Sequence, residues 1–413
     1  MKKKYNLLLA AALLASGMGI GCGTVSAAPI DMPVQPAPLV VTDTVYGNVV
    51  ESHVIELPVI THVDYDTLFA MDNELFGQFG CSAAAKILSN GDLIVGRSMD
   101  LPYSNRPIYI VRTAVPGYYK TVGISYNPYF GKEFEDAALN GVSEQDMLQA
   151  FMVSEDVLNE KGFYVEMNMR NPEPESTGIK ISTGTNSKGK YRLSYVTLCR
   201  FLAERCATIE EALALVKTID VHDLKMGDIN WGAGILMADA TGHYGILELG
   251  DNKLIWLDGQ KIQTNFYLNE TYGKKSMNGV GQGRYDFLKR NLKNVQTEED
   301  MARLIYKVRF SQLTDPDTCA FDPCGDFAEI DEKPFAAIGV HTTADAMSKE
   351  KRSQVMEILR RQGMEERKKT LEEKQAEGKA WLSAFQTVVN CQKGTYRVRF
   401  FEREESEHEL KVE

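Results

Sequence analysis

The clearest pattern of apolar and polar positions begins at Cys81. An apolar, strand-like run (Ala83, Ala84, Ala85, Ile87, Leu88) stops at Asn90-Gly91, and a second run from Asp92 carries on to Arg97 and Asp100. Asn-Gly between two such runs predicts a β-hairpin with a two-residue turn. Ile108-Tyr109-Ile110-Val111 predicts a third strand. Residues 140–157 predict a helix, Asn159-Glu160-Lys161-Gly162 a turn, and Phe163 to Met169 a further strand. Tyr195 to Leu202 and Thr208 to Thr218 have helical spacing, the latter with Ala212, Leu213, Leu215 and Val216 on its apolar side. Ile235 to Ala238, Gly245 to Leu249 and Lys253 to Leu257 read as strands separated by turns. Residues 298–310 predict a helix, and Ala384 to Val389 with Thr395 to Phe401 a closing strand pair. Strand runs interrupted by helical pairs predict an α+β layered fold.

Two stretches stand apart. Residues 29–45 carry Pro29, Pro33, Pro36 and Pro38 with few charges and read as a linker, while Val49 to Ile60 alternates enough to allow a strand. Residues 345–379 read as a charged helical insertion with sparse apolar points at Met356, Ile358, Leu359 and Leu371. Residues 171–190, rich in Pro, Ser, Thr and Gly, read as a loop.

Composition narrows the class. The chain has 413 residues, 44% hydrophobic and 25% charged, as a globular protein does, and its net charge of -11 argues against a nucleic-acid partner. Lys2-Lys3-Lys4, the uncharged apolar stretch Leu7 to Ile20 and Val25-Ser26-Ala27 predict a signal peptide over 1–27, hence export to the periplasm or outside the cell. Cys22 after Gly19-Ile20-Gly21 leaves a second reading, a lipid anchor. No later run is apolar and long enough to span a bilayer. Of the seven cysteines, Cys319 and Cys324 bracket a turn-like spacer and could pair in an oxidising compartment. The six histidines are scattered, and no metal or cofactor is implied.

The hairpin can bring Cys81, Arg97 and Asp100 to one end of a sheet. A thiol beside a guanidinium and a carboxylate suits a nucleophile, because the cation favours thiolate. The other reading is a buried cysteine beside a structural ion pair. Further motifs weigh between the two. Gly96-Arg97-Ser98-Met99-Asp100 precedes Tyr103-Ser104, with the arginine and aspartate 16 and 19 positions after Cys81. Asn159-Glu160-Lys161-Gly162, Asp239-Ala240-Thr241-Gly242 with Glu248, Thr264-Asn265, Gly281-Gln282-Gly283-Arg284-Tyr285 and Ala384 to Phe401 follow in order.

Taken together, these motifs resemble the choloylglycine hydrolase family, which holds bile salt hydrolases and penicillin V acylases. The resemblance runs from Cys81 to about residue 402. It implies a four-layer αββα sandwich of the N-terminal-nucleophile hydrolase type over 81–413. It also implies an amidase that cuts linear carbon–nitrogen amides of small acyl substrates, without a cofactor. The nucleophile would be Cys81 and its own α-amine the base. Asp100 would orient that amine, Arg97 would sit beside the sulfur, Asn265 would donate to the oxyanion, and Arg284 would hold the charge network. The same thioester could serve an acyltransferase, and an inactive ligand-binding relative is the other class. Both substrate and homo-oligomer are left open.

Three departures from the family pattern follow. Cys81 lies far inside the chain, so a free amine requires cutting Gly80–Cys81, with 28–80 as linker and propeptide. The family's second oxyanion asparagine aligns with Met169; since a one-residue shift on a strand reverses the face, either a bulge restores Asn168, or Asn171 substitutes, or this donor is lost. Arg284 follows Asn265 by only 19 positions, a shorter interval than bile salt hydrolases have.

Overall fold

The Leu88 N–H donates to Asp92 O (2.8 Å) and the Gly91 N–H to Leu88 O (3.0 Å), so the predicted hairpin closes around Ser89, Asn90 and Gly91. Only Gly91 enters the left-handed region, at φ 91°. A three-residue loop needs one such residue, whereas a two-residue type I′ turn needs two. The computed structural model describes residues 47–51, 54–63, 65, 80–102, 106–126, 131–170, 184–185, 191–222, 224–226, 229–250, 253–269, 281–309, 381–401 and 406–412. All belong to the compact unit Gln35–Glu413. The signal segment, Cys22, Tyr103-Ser104, Asn171, the Cys319–Cys324 pair and the 345–379 insertion lie outside the described residues.

The strands are β1 (Asn48–Glu51), β2 (Val54–Glu56), β3 (Gly80–Ile87), β4 (Leu93–Pro102), β5 (Ile108–Thr113), β6 (Thr121–Tyr126), β7 (Ser154–Asn159), β8 (Tyr164–Arg170), β9 (Arg192–Ser194), β10 (Asp220–His222), β11 (Leu224–Met226), β12 (Ile229–Ala238), β13 (Tyr244–Gly250), β14 (Lys253–Asp258), β15 (Ile262–Gln263), β16 (Trp381–Asn390), β17 (Thr395–Phe400) and β18 (Glu407–Lys411). Among the described residues six α-helices accompany them: α1 (Phe134–Asn140), α2 (Glu144–Met152), α3 (Tyr195–Arg205), α4 (Ile209–Val216), α5 (Gln282–Asn291) and α6 (Glu298–Lys307). Among the described residues, one sheet runs β1-β2-β5-β6-β7-β8-β12-β13-β14, with β11 beside β12; a second, smaller one runs β15-β3-β4-β16-β17-β18; and β9 and β10 form a separate parallel two-stranded ribbon.

The layers follow from the pleat, which sends successive side chains to opposite faces. Along β3 and β4, Ala84 and Ile94 join Met301, Leu304 and Ile305 of α6 in one apolar cluster. Cys81, Ala83, Ala85, Val95 and Met99 join the core on the other face. Helices α5 and α6 therefore cover the outside of the smaller sheet, and α2 and α3 pack on the larger one. Between the sheets, Arg97 of β4 meets Asp156 of β7 and Glu166 of β8. The order is helix, sheet, sheet, helix: an αββα sandwich.

One expectation needs correction. The helix over 140–157 is broken after Asn140, where Gly141 takes φ 72°, restarts at Glu144 and stops at Met152. Ser154 then turns its hydroxyl back onto Ala150 O (3.1 Å) and Phe151 O (2.9 Å), satisfying the last carbonyls, and Ser154–Asn159 proceeds as a strand. The described part of 28–80 is built into the larger sheet: β2 pairs in parallel with β5, and Val54, Ile55, Leu57, Ile60, Val63 and Tyr65 are buried.

Candidate active site

Cys81 opens β3 and is fully buried, with Met99 as its cross-strand partner. Its Sγ lies 3.3 Å from Met99 Sδ and 3.8 Å from Arg97 Nη2. Ala83 is paired with Arg97, so the thiol and the guanidinium share one sheet face two residues apart. The Arg97 side chain is held from the opposite sheet. Nε lies 2.9 Å from Glu166 Oε2, Nη1 lies 3.4 Å from Asp156 Oδ2, and Nη2 donates to Met167 O at 2.6 Å. Burial pushes the Cys81 thiol up to about 12, against the pull of Arg97, so in the uncut chain the sulfur is protonated. Burial likewise pushes Glu166 up to about 7, again opposed by Arg97.

Asp100 pairs with Gly80 across the ladder, and alternation turns it to the helix side of the sheet, away from the thiol. There its Oδ1 accepts from Ser98 Oγ (2.8 Å) and from Ser383 Oγ. The expected meeting of Cys81, Arg97 and Asp100 thus occurs at one sheet end but on two faces: Arg97 beside the sulfur, Asp100 opposite the Gly80 backbone.

Two distant residues converge on the Cys81 main chain. Asn265 Oδ1 accepts the Cys81 N–H at 3.1 Å, while its Nδ2 donates to Met169 O at 2.8 Å. Arg284 donates from Nη1 to Cys81 O (2.8 Å) and Ser82 Oγ (2.9 Å), and from Nη2 to Asn265 Oδ1 (2.9 Å). Its Nη1 also lies 3.9 Å from Asp100 Oδ2. Arg284 sits within the first turn of α5, which starts after Gly281 at φ 92°. A Cβ on Gly281 would meet Thr264 Cβ at 2.7 Å. Glycine there lets the helix start press against Thr264, next to Asn265.

Asn168 lies on an unbulged β8, opposite Gly234 of β12. Glu166, Asn168 and Arg170 face the smaller sheet, and Met169 faces α3. The Asn168 amide sits best with its nitrogen toward Glu166 Oε2 (2.9 Å) and Met167 O (3.2 Å). The opposite setting gives only a 3.4 Å contact to Gln263 O. Among the described residues its hydrogen bonds run to β8 and β15, not to Cys81.

Sequence reasoning missed the supporting groups. Asp156 and Glu166 hold Arg97. Arg170, fully buried, pairs with Glu248 (Nη2–Oε1 2.9 Å), donates to Gln263 Oε1 (2.9 Å) and bonds Thr264 O. Glu248 in turn accepts from Leu268 N and Asn269 N, both at 2.9 Å. The segment that carries Asn265 is therefore pinned on both sides. The signal was present as the alternation of Glu166, Asn168 and Arg170 with Val165, Met167 and Met169, but such a pattern equally fits one wet face.

One histidine–carboxylate group, Glu210, Asp239 and His243, lies close enough to hold a cation. Its chemistry points elsewhere. His243 Nδ1 meets Glu210 (2.9 Å) and Nε2 meets Asp258 (2.6 Å), and Asp239 accepts from Ile209 N and Thr241. Cys199, Cys206 and Cys391 are buried thiols. Among the described residues no helix is long and apolar enough to cross a membrane.

No family model matches the chain, and no curated protein matches it. Solved structures do. Two variants of conjugated bile acid hydrolase from Clostridium perfringens are similar at 15% and 16% identity, with TM-scores of 0.39 and 0.40, over 80% of this chain and 92% of theirs. Penicillin V acylase from Agrobacterium tumefaciens is similar at 14% identity, with a TM-score of 0.37, over 78% of this chain and 83% of its own. Superpositions of that quality carry no residue role. The layer order and the groups around Cys81 stand on their own geometry.

Proposed function

We propose that this protein is an exported hydrolase of linear carbon–nitrogen amides whose nucleophile is Cys81 after the Gly80–Cys81 bond is cut. The observation that carries this reading is the convergence of Asn265 and Arg284 on the main chain of Cys81, a cysteine whose thiol also lies against a buried arginine. A purely structural cysteine needs neither. The motif resemblance to choloylglycine hydrolases supplies the substrate class, N-acyl amides such as conjugated bile salts or penicillin V.

The uncut chain has a protonated thiol, and the Cys81 nitrogen is an amide that cannot act as a base. Self-cleavage supplies the base. The Cys81 thiol adds to the Gly80 carbonyl, the C–N bond breaks, the thiol proton passes to the departing nitrogen, and a Gly80 thioester forms. One water then hydrolyses that thioester to a Gly80 carboxylate and restores the thiol. The new α-amine, with a reference pKa of about 7.7–8.0, is partly neutral at working pH and takes the thiol proton in later turnovers. The sulfur attacks the substrate carbonyl, the amine leaving group takes a proton, and water releases the acyl group from the enzyme thioester. Arg97 favours the thiolate. Arg284 and Asn265 hold the nucleophile's main chain, and the motif resemblance gives an amide N–H of Asn265 the oxyanion.

A panel of N-acyl amides tests the reading. Release of free amine by the wild type and its loss in Cys81→Ala is expected, with transient addition of the acyl mass to the chain beginning at Cys81. Equal amine release by both proteins would end it.

A further inference from the structure

We infer that the segment upstream of Gly80 is not discarded when the chain is cut but stays as a non-covalent subunit, so that the mature enzyme is a two-chain particle. The inference rests on the cleavage proposed above. It changes what the cleavage does, from removing a propeptide to nicking a folded domain.

The observations come from residues 47–65. Strand β2 extends the larger sheet through parallel pairs Val54 with Ile108, Ile55 with Tyr109 and Glu56 with Ile110. The ladder continues past it: Leu57 N–H donates to Ile110 O (3.0 Å), Ile60 N–H to Arg112 O (2.9 Å) and Ala114 N–H to Ile60 O (2.8 Å). Val54, Ile55 and Leu57 are at most 2% exposed, and all three belong to the main hydrophobic core together with Ile60, Val63 and Tyr65. Tyr65 donates to the buried Glu204 of α3 (2.6 Å), and the Arg205 guanidinium lies 4.5 Å from its ring centre. Polar ties add to this: Glu56 pairs with Arg112 (2.7 Å), and Glu51 meets His408 of β18 in the other sheet (3.0 Å).

None of these interactions involves the peptide that would be cut. Losing the segment would bare the β5 edge, whose N–H and C=O groups would lose their partners. It would remove Tyr65 from α3 and leave Glu204 buried without its tyrosine. Addition of a strand to a sheet edge, with alternate side chains in pockets, is how proteins bind extended partners. Here the partner is the protein's own leading segment.

Split expression tests the inference without depending on self-cleavage. Residues 28–80 with an affinity tag and residues 81–413 are produced as separate chains in one cell. The tagged chain is expected to retain the long chain at one to one, and Ile55→Asp with Leu57→Asp in the short chain to reduce recovery at least tenfold. A long chain that purifies folded without the short one would overturn the inference. Hydrogen exchange on the uncut Cys81→Ala protein gives a second reading that needs neither splitting nor cleavage. Amides of 54–60 are expected to open no faster than those of β5 and β6, whereas opening a hundredfold ahead of them would also overturn it. A single mass for the denatured wild type would instead reject the cleavage and leave the docking to these two measurements.

Discussion

Asn265 Oδ1 accepts the backbone N–H of Cys81 at 3.1 Å across 184 positions of sequence, and the same oxygen accepts Arg284 Nη2 at 2.9 Å. One side-chain oxygen thus accepts the backbone nitrogen that the proposed cut would turn into an amine, and in the proposed mechanism the amide N–H of Asn265 meets the oxyanion. Asn265→Ala is expected to lower kcat for amide hydrolysis by about 10²–10³, the usual effect of removing an oxyanion donor. Steady-state kinetics check this, with Tm recorded to separate a folding defect. An unchanged kcat would remove Asn265 from the chemistry.

The Arg170–Glu248 pair holds the segment that bears Asn265 and is fully buried. Arg170→Gln leaves Glu248 charged in the interior, which for a buried pair costs about 3–5 kcal/mol. Denaturant unfolding is expected to show that loss, and kcat to fall along with it as Asn265 shifts.

Glu166 gives a signed pH effect. Burial raises its folded value to about 7, above the unfolded carboxyl at about 4.3. The folded state therefore binds the extra proton, and this contribution to stability is fully present below about pH 4.3 and is lost as pH rises toward 7. Melting of Glu166→Gln across that window is expected to lack the decline the wild type shows.

His243 acts at the surface with the sign worked the same way. Burial lowers its pKa, but hydrogen bonds donated to Asp258 and Glu210 outweigh this and raise it overall. Its contribution is present below the unfolded value of about 6.5 and fades as pH rises through the higher folded value. Both carboxylates are about two-thirds exposed, so His243→Gln is expected to flatten the Tm profile in that range only slightly.

How much of this was legible depends on range. The β3–β4 hairpin, helices α3, α4 and α6 and the closing strands were readable because their signals are local: turn residues, period two and period three to four. The halt of α2 at Met152 was not, since Val153, Val157 and Leu158 keep helical spacing across Ser154-Glu155-Asp156 until the sheet claims the stretch. The polar layer between the sheets was not legible either. Glu166, Asn168 and Arg170 alternate as an exposed edge would, and only the second sheet, brought over them by long-range pairing, makes that face interior. Asn265 and Arg284 could be named only through motif resemblance, because nothing near them in sequence points at Cys81. The same limit hid β2: Val49 to Ile60 allowed a strand, but its burial against β5 is a property of the assembled sheet.

The most direct measurement is the denatured intact mass and N-terminal sequence of the purified protein, wild type against Cys81→Ala. Two wild-type chains are predicted, one ending at Gly80 and one beginning at Cys81, with a single uncut chain for Cys81→Ala. Wild-type protein that hydrolyses amides while its chain still runs unbroken through Gly80–Cys81 would contradict the account.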